Sequence, residues 1–77
     1  MENIDNFIEN FVGELNYTNH AKITSATKFR ELSEWSSIIA VAIMEMIQDE
    51  YGVTIRAAEF KGVSTIGELF ELVLSKL

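Results

Sequence analysis

Two adjacent hydroxyls, Ser36 and Ser37, stand immediately before an apolar run that starts at Ile38 and continues to Tyr51-Gly52. A serine hydroxyl is a weak nucleophile until a base takes its proton. No base lies near these serines in sequence, and His20, the single histidine, lacks the orienting carboxylate of a catalytic triad. Self-contained hydrolysis is therefore not expected. A serine modified by another enzyme needs less, namely exposure and a favourable electrostatic setting. The start of a helix supplies both, because its first N–H groups have no intrahelical acceptor and its dipole end is positive, which suits an attached phosphate. Ser36 is placed to be the N-cap, and Ser37, the first residue inside, to turn its hydroxyl outward. Capping alone also accounts for two serines at a helix start, and from these residues by themselves it is the stronger reading.

The elements that would position the serines follow from periodicity. Ile4, Phe7, Ile8, Phe11, Val12 and Leu15 recur at helical spacing opposite Glu2, Asp5, Glu9 and Glu14, which predicts an amphipathic helix over about residues 3–16. From Asn16 to Glu34 the pattern gives way to turn and cap formers, a long loop in which Ile23 and Phe29 read as anchors to the core. Lys22, Lys28 and Arg30 in this loop read as solvated charge that offsets the acidic helices. The central helix is predicted over Ser37–Tyr51, with Gly52 ending it. Val53-Thr54-Ile55 reads as an extended link, and Ala57–Lys61 as one short helical turn with Phe60 inward. Thr65 and Glu68 fit a capping box for a last helix whose apolar side is Ile66, Leu69, Phe70, Leu72, Val73 and Leu77. Gly67 inside it is unfavourable by about 1 kcal/mol relative to Ala, which suggests close packing. The expected fold is all-α: a small antiparallel bundle of three long helices and one short one, with a long loop after the first.

Composition narrows the function. The 77 residues, taken as one domain spanning 1–77, leave no room for a separate cofactor domain. Twelve acidic against six basic residues give a net charge of −6, which argues against nucleic acid, since little could replace phosphate counterions. With no cysteine and one histidine, no metal site is expected. The N-terminus lacks the basic start and apolar run of a signal peptide, and the apolar stretch from Ile38 to Met44 is too short to cross a bilayer. A cytoplasmic monomer without membrane insertion is expected.

Phe29, then Ser36-Ser37-Ile38, then Val41, Ile43, Met44, Ile47, Asp49-Glu50-Tyr51-Gly52 and Ile55, then Ser64-Thr65-Ile66, resembles the acyl carrier protein family. There the attachment motif Asp-Ser-Leu opens an apolar helix that ends in an acidic pair, an aromatic residue and often Gly. Aligning Tyr51-Gly52 with that end, without gaps, puts Ser37 at the modified serine and Phe29 on a family aromatic position. The resemblance covers residues 29–77 closely and the first helix by pattern. It implies a 4'-phosphopantetheine arm, donated by coenzyme A and joined to the Ser37 hydroxyl by a phosphodiester. The arm's thiol would hold an acyl group as a thioester for delivery to acyl-loading and acyl-processing enzymes, after a phosphopantetheinyl transferase has attached it. The carrier itself would not be an enzyme. Family members often shelter the chain among their helices, and Met44 and Met46 suit a pliable core.

The departures from the family sit on the same helix. Ser36 replaces the usual Asp and keeps the capping role without the charge. Ile39, Ala42 and Gln48 stand where fatty acid carriers place acids, leaving Glu45, Asp49 and Glu50 toward the helix end. With Ile38, Val41, Ile43, Met44 and Ile47 assigned to the core, Ile39, Ala42 and Met46 are left over for an exposed docking face. Trp35, Ser36, Ile38, Ile39, Ala42, Glu45 and Met46 are thus the candidate partner-docking residues. Trp35 either lies along the arm or guides a partner, or packs over the loop anchored by Phe29; the sequence favours neither. The functional expectation is an acyl carrier of a fatty acid, polyketide or related specialised pathway. The alternatives are a peptidyl carrier with aminoacyl cargo, and a non-catalytic helical adaptor docking through its apolar central helix.

Overall fold

The computed structural model describes residues 3–15 and 23–77. Its elements are α1 (Ile4–Val12), a 3-10 turn (Phe29–Glu31), α2 (Ser37–Tyr51), α3 (Ala57–Lys61) and α4 (Ile66–Ser75), an all-α bundle of three longer helices and one short one. His20 and Lys22 lie outside the described residues.

Asn3 caps α1 by accepting from the Asn6 N–H at 2.9 Å. The helix is shorter than the 3–16 its periodicity predicts. It stops at Gly13, after which Glu14 and Leu15 donate to the carbonyls of Phe11 and Val12, a tightened last turn. Leu15 still reaches the core from that turn, which is why the apolar stripe reads as longer than the helix. Ring contacts fix how α1 lies on α2. Phe7, near the α1 start, meets Tyr51 at the α2 end, while Phe11, near the α1 end, meets Trp35 just before α2 begins. The two helices are therefore antiparallel. Phe70 of α4 closes on Phe7 with ring centroids 5.1 Å apart, and Ile43, Ile47, Ile66, Leu69 and Val73 fill the space between the helices with no exposed surface.

The anchors in the long loop are real. Ile23 and Phe29 are buried, and the chain between them lies along the start of α4. There the Ile66 and Gly67 N–H groups donate to the carbonyls of Thr27 and Ser25, at 3.1 and 2.8 Å. A Cβ on Gly67 would stand 3.0 Å from the Ser25 carbonyl oxygen, so loop and helix approach closely here, as the glycine suggests. The Thr65–Glu68 capping box is present in both directions. Gly52 ends α2 in the left-handed conformation at φ 68°, its N–H donating to the Gln48 carbonyl.

Two expectations are corrected. Arg30 is not merely solvated charge. Its guanidinium donates to the Phe60 and Val63 carbonyls at the end of α3 and lies over the rings of Phe29 and Phe60. The loop is thereby tied to α3 by a planar cation matched to two carbonyls. Leu77 does not join the apolar side of α4. The helix ends at Ser75, and Leu77, beyond it, is exposed.

Candidate functional site

The start of α2 is built from three consecutive residues with different tasks. Trp35 is half-buried, its ring nearly parallel to those of Phe11 and Phe60 and tilted against Phe29. Its side chain thus packs over the loop rather than projecting along the surface. Ser36 is extended, at φ −156° and ψ 170°, and its Oγ accepts from the Ile39 N–H at 3.3 Å. It is the N-cap, as its place in sequence predicts. Ser37 is the first helical residue and is exposed, and its hydroxyl has no hydrogen-bond partner among the described residues. Helix geometry leaves the N–H groups of Ser37 and Ile38 without intrahelical acceptors. No acidic residue lies in the first turn to oppose a negative group there.

From Ser37 an open groove of about 380 Å³ runs along α2, lined by Ile38, Val41, Ala42 and Glu45. Ile38 is 78% exposed and Val41 51%. The helix is therefore rotated from the expected phase. Ile38 and Val41, assigned to the core by sequence, face outward. Met46, assigned to the exposed face, is only 7% exposed, and Ile39 and Ala42 are half-buried. The inward stripe is Ile43, Met46 and Ile47, with Ile39, Ala40, Met44 and Tyr51 packed at its edges. An almost uniformly apolar helix carries no amphipathic phase of its own. The signal that would have found it is polar: Glu45, Gln48 and Asp49 are all exposed, and Val41 and Ile38 lie four and seven residues before Glu45 on the same helical face. Of the candidate docking residues, Ser36, Ile38, Ala42 and Glu45 thus sit together beside Ser37. Met46 lies in the core, Trp35 in the aromatic stack and Ile39 between core and surface.

A second concavity of about 300 Å³ lies at the other end of α2, lined by Asn6, Glu9, Asn10, Glu50 and Tyr51. Asn10 donates to the Tyr51 hydroxyl across it, at 3.4 Å. It holds no serine and is polar where the groove at Ser37 is apolar. Among the described residues no cluster of three metal-ligating side chains occurs, and no helix is long and apolar enough to span a membrane.

Carboxylates elsewhere have structural duties. The hydrogen bond from the Lys76 ammonium holds the Glu59 carboxyl below its ordinary pKa, helped by the Arg56 backbone N–H that donates to it at the start of α3. The backbone N–H groups of Ser64 and Thr65 do the same for Glu68 at the start of α4.

A capped helix start, an exposed hydroxyl and an apolar groove leading from it define a small helical fold with a place where a group could be attached. The chain belongs to the phosphopantetheine attachment site family, whose model matches residues 6–73. Members of this family carry a covalently attached 4'-phosphopantetheine, so this chain is a phosphopantetheine-bearing carrier of the acyl carrier protein type. Comparison with curated proteins finds no match. Carriers of this kind work with transferases and acyl-processing enzymes.

The residues at the α2 start fit that group. A phosphodiester on an exposed hydroxyl would have the unsatisfied N–H groups of the first helical turn close by, no neighbouring carboxylate in that turn, and an apolar wall beside it.

Proposed function

We propose that Ser37 carries the arm, and that the chain, acting as one carrier domain in the cytoplasm where coenzyme A is available, presents acyl groups as thioesters to dedicated enzymes of a specialised pathway of fatty acid or polyketide type. The observation that carries this reading is the division of labour at the α2 start. Ser36 is engaged in capping the Ile39 N–H, while the exposed Ser37 hydroxyl is engaged with nothing among the described residues. Loading would join Ser37 Oγ to the β-phosphorus of coenzyme A and break the pyrophosphate P–O bond. Adenosine 3',5'-bisphosphate would leave, and the hydroxyl proton would pass to a base of the transferase. Once bound, the arm supplies a thiol that holds the cargo. The protein's contribution is to hold that cargo near each partner's active site at high effective concentration.

Partner docking is proposed on the outer stripe of α2, Ile38 and Val41 with Ala42 at its edge and Glu45 as its charge. Two bare apolar side chains beside the loading serine support a partner surface that is less basic than one reading a row of acids. Incubation with coenzyme A and a broad-specificity phosphopantetheinyl transferase, followed by intact mass measurement, tests the assignment. One added phosphopantetheine is expected in the wild type and in Ser36→Ala, and none in Ser37→Ala. Loading that persists in Ser37→Ala moves the arm elsewhere; an unmodified wild type with every transferase tried favours an adaptor that docks without covalent change.

A further inference from the structure

The first turn of α2 meets the core only through the half-buried Ile39 and Ala40. Ile38 is largely exposed, Ser37 is exposed, and the first fully buried side chain of the helix is Ile43, more than a turn further on. The Ser36 cap is a single bond of 3.3 Å. What fixes this end lies just before it. The Trp35 ring is 6.4 Å from Phe11 at an interplanar angle of 8° and 6.1 Å from Phe60 at 13°. Phe29 closes a third side at 5.0 Å, and the Trp35 backbone N–H donates to the Leu32 carbonyl at 3.0 Å. One ring is thus held by α1, the 3-10 turn and α3 together, two residues from Ser37.

We propose that Trp35 is the positioning residue for Ser37: the Phe11–Trp35–Phe60 stack fixes the start of α2, and with it the place and direction of the Ser37 hydroxyl offered to the transferase. Trp35 touches none of the reacting atoms and lies outside the groove at Ile38 and Val41, so its effect falls on the chemical step rather than on docking. Planarity matters as well as burial, because a branched aliphatic side chain cannot reproduce the near-parallel ring contacts with Phe11 and Phe60. The proposal rests on Ser37 being the loaded residue.

Trp35→Leu and Trp35→Phe, compared with the wild type, test it in two readouts. The first is loading kinetics with coenzyme A and a broad-specificity transferase. Trp35→Leu is expected to lower kcat about tenfold, within the roughly hundredfold that a misplacement of about 1 Å can cause, with KM nearly unchanged. Trp35→Phe restores most of kcat. The second is backbone amide exchange: in Trp35→Leu the Ile39 and Ala40 amides lose protection while those of Ile43 and Ile47 keep it. A raised KM with unchanged kcat would instead make Trp35 a contact surface, and unchanged kcat and KM would remove its role. Uniformly faster exchange along α2 would reduce the effect to general destabilisation. A wild type that gains no mass refutes the Ser37 assignment separately. The exchange pattern still decides whether Trp35 orders the first turn.

Discussion

Removing the Arg30 guanidinium tests how the long loop is held to α3, and so what supports the stack behind the serines. The side chain donates to the Phe60 and Val63 carbonyls, with its central carbon 4.9 Å from the Phe29 ring centroid and 5.1 Å from that of Phe60. Hydrogen bonds from a charged donor contribute about 1.5–3 kcal/mol each. Arg30 is an exposed residue, so we take the pair together as about 2 kcal/mol after screening. Cation–π contact at an exposed site adds about 0.5–1 kcal/mol. Arg30→Ala should therefore cost about 2–3 kcal/mol, a large share of the roughly 4–12 kcal/mol expected for a domain of this size. At about 4–8 °C per kcal/mol, Tm should fall by about 10–20 °C in a thermal melt followed by circular dichroism. Arg30→Lys keeps the charge but loses the planar fork and should recover less than half of the loss. An Ala variant melting within about 2 °C of wild type would refute the reasoning. It would mean that the guanidinium contributes nothing and that Phe60 alone anchors α3.

Four further outcomes follow from the same geometry. Ser36→Ala should cost about 1 kcal/mol by freeing the Ile39 N–H, and Ser36→Asp should restore at least wild-type stability, since a carboxylate both caps and suits the dipole; chemical denaturation measures both. Gly67→Ala gains about 1 kcal/mol in helix propensity but drives a Cβ against the Ser25 carbonyl that the Gly67 N–H itself holds, an overpacking cost of about 1–3 kcal/mol. A net loss of stability is expected, and a net gain would show that the loop yields. Met46→Gln buries an amide and should cost about 1–3 kcal/mol, whereas Val41→Gln should change stability by less than about 0.5 kcal/mol; equal effects would contradict the rotation of α2. Glu59 and Glu68 have folded pKa values below the ordinary one, from the Lys76 hydrogen bond and from the Ser64 N–H respectively. Their stabilisation is therefore complete above about pH 4.3 and is lost as pH falls through the lowered folded values. The urea midpoint should drop over that acid range, and the double variant Glu59→Gln, Glu68→Gln should drop less steeply.

Local signals predicted the element ends well wherever one residue type does the work. Gly52 can end a helix because it alone tolerates the left-handed backbone, and Thr65 with Glu68 satisfies N–H groups three residues apart whatever surrounds them. The same logic failed at α1, where Leu15 keeps the helical spacing after the helix has ended, because a tightened turn can still deliver a side chain to the core. It failed differently at α2. With Ile, Ala, Val and Met on every side, hydrophobicity sets no rotation, and only the sparse polar positions Glu45, Gln48 and Asp49 encode it. Arg30 was illegible for another reason: its acceptors are backbone carbonyls 30 and 33 residues away, and a carbonyl leaves no mark in a sequence.

The two hydroxyl pairs sharpen this point. Ser36-Ser37 and Ser64-Thr65 are nearly the same local message, a pair of hydroxyl residues at the start of an apolar helix. At Ser64-Thr65 every backbone N–H of the first turn has a structural partner. The Thr65 hydroxyl takes the Glu68 N–H, Glu68 takes the Ser64 and Thr65 N–H groups, and the loop carbonyls of Thr27 and Ser25 take those of Ile66 and Gly67. No backbone N–H of that turn remains there for a ligand, although the Ser64 hydroxyl is exposed. At Ser36-Ser37 only the Ile39 N–H is taken by the cap, and among the described residues nothing accepts from the Ser37 and Ile38 N–H groups or pairs with the Ser37 hydroxyl. Which helix start has its N–H groups met by loop carbonyls depends on where residues 23–28 run, a tertiary fact fixed by the anchors Ile23 and Phe29. The stretch over residues 23–28 that closes the start of α4 therefore takes up that helix's free N–H groups, while among the described residues the start of α2 keeps its own, beside the exposed hydroxyl a transferase could reach.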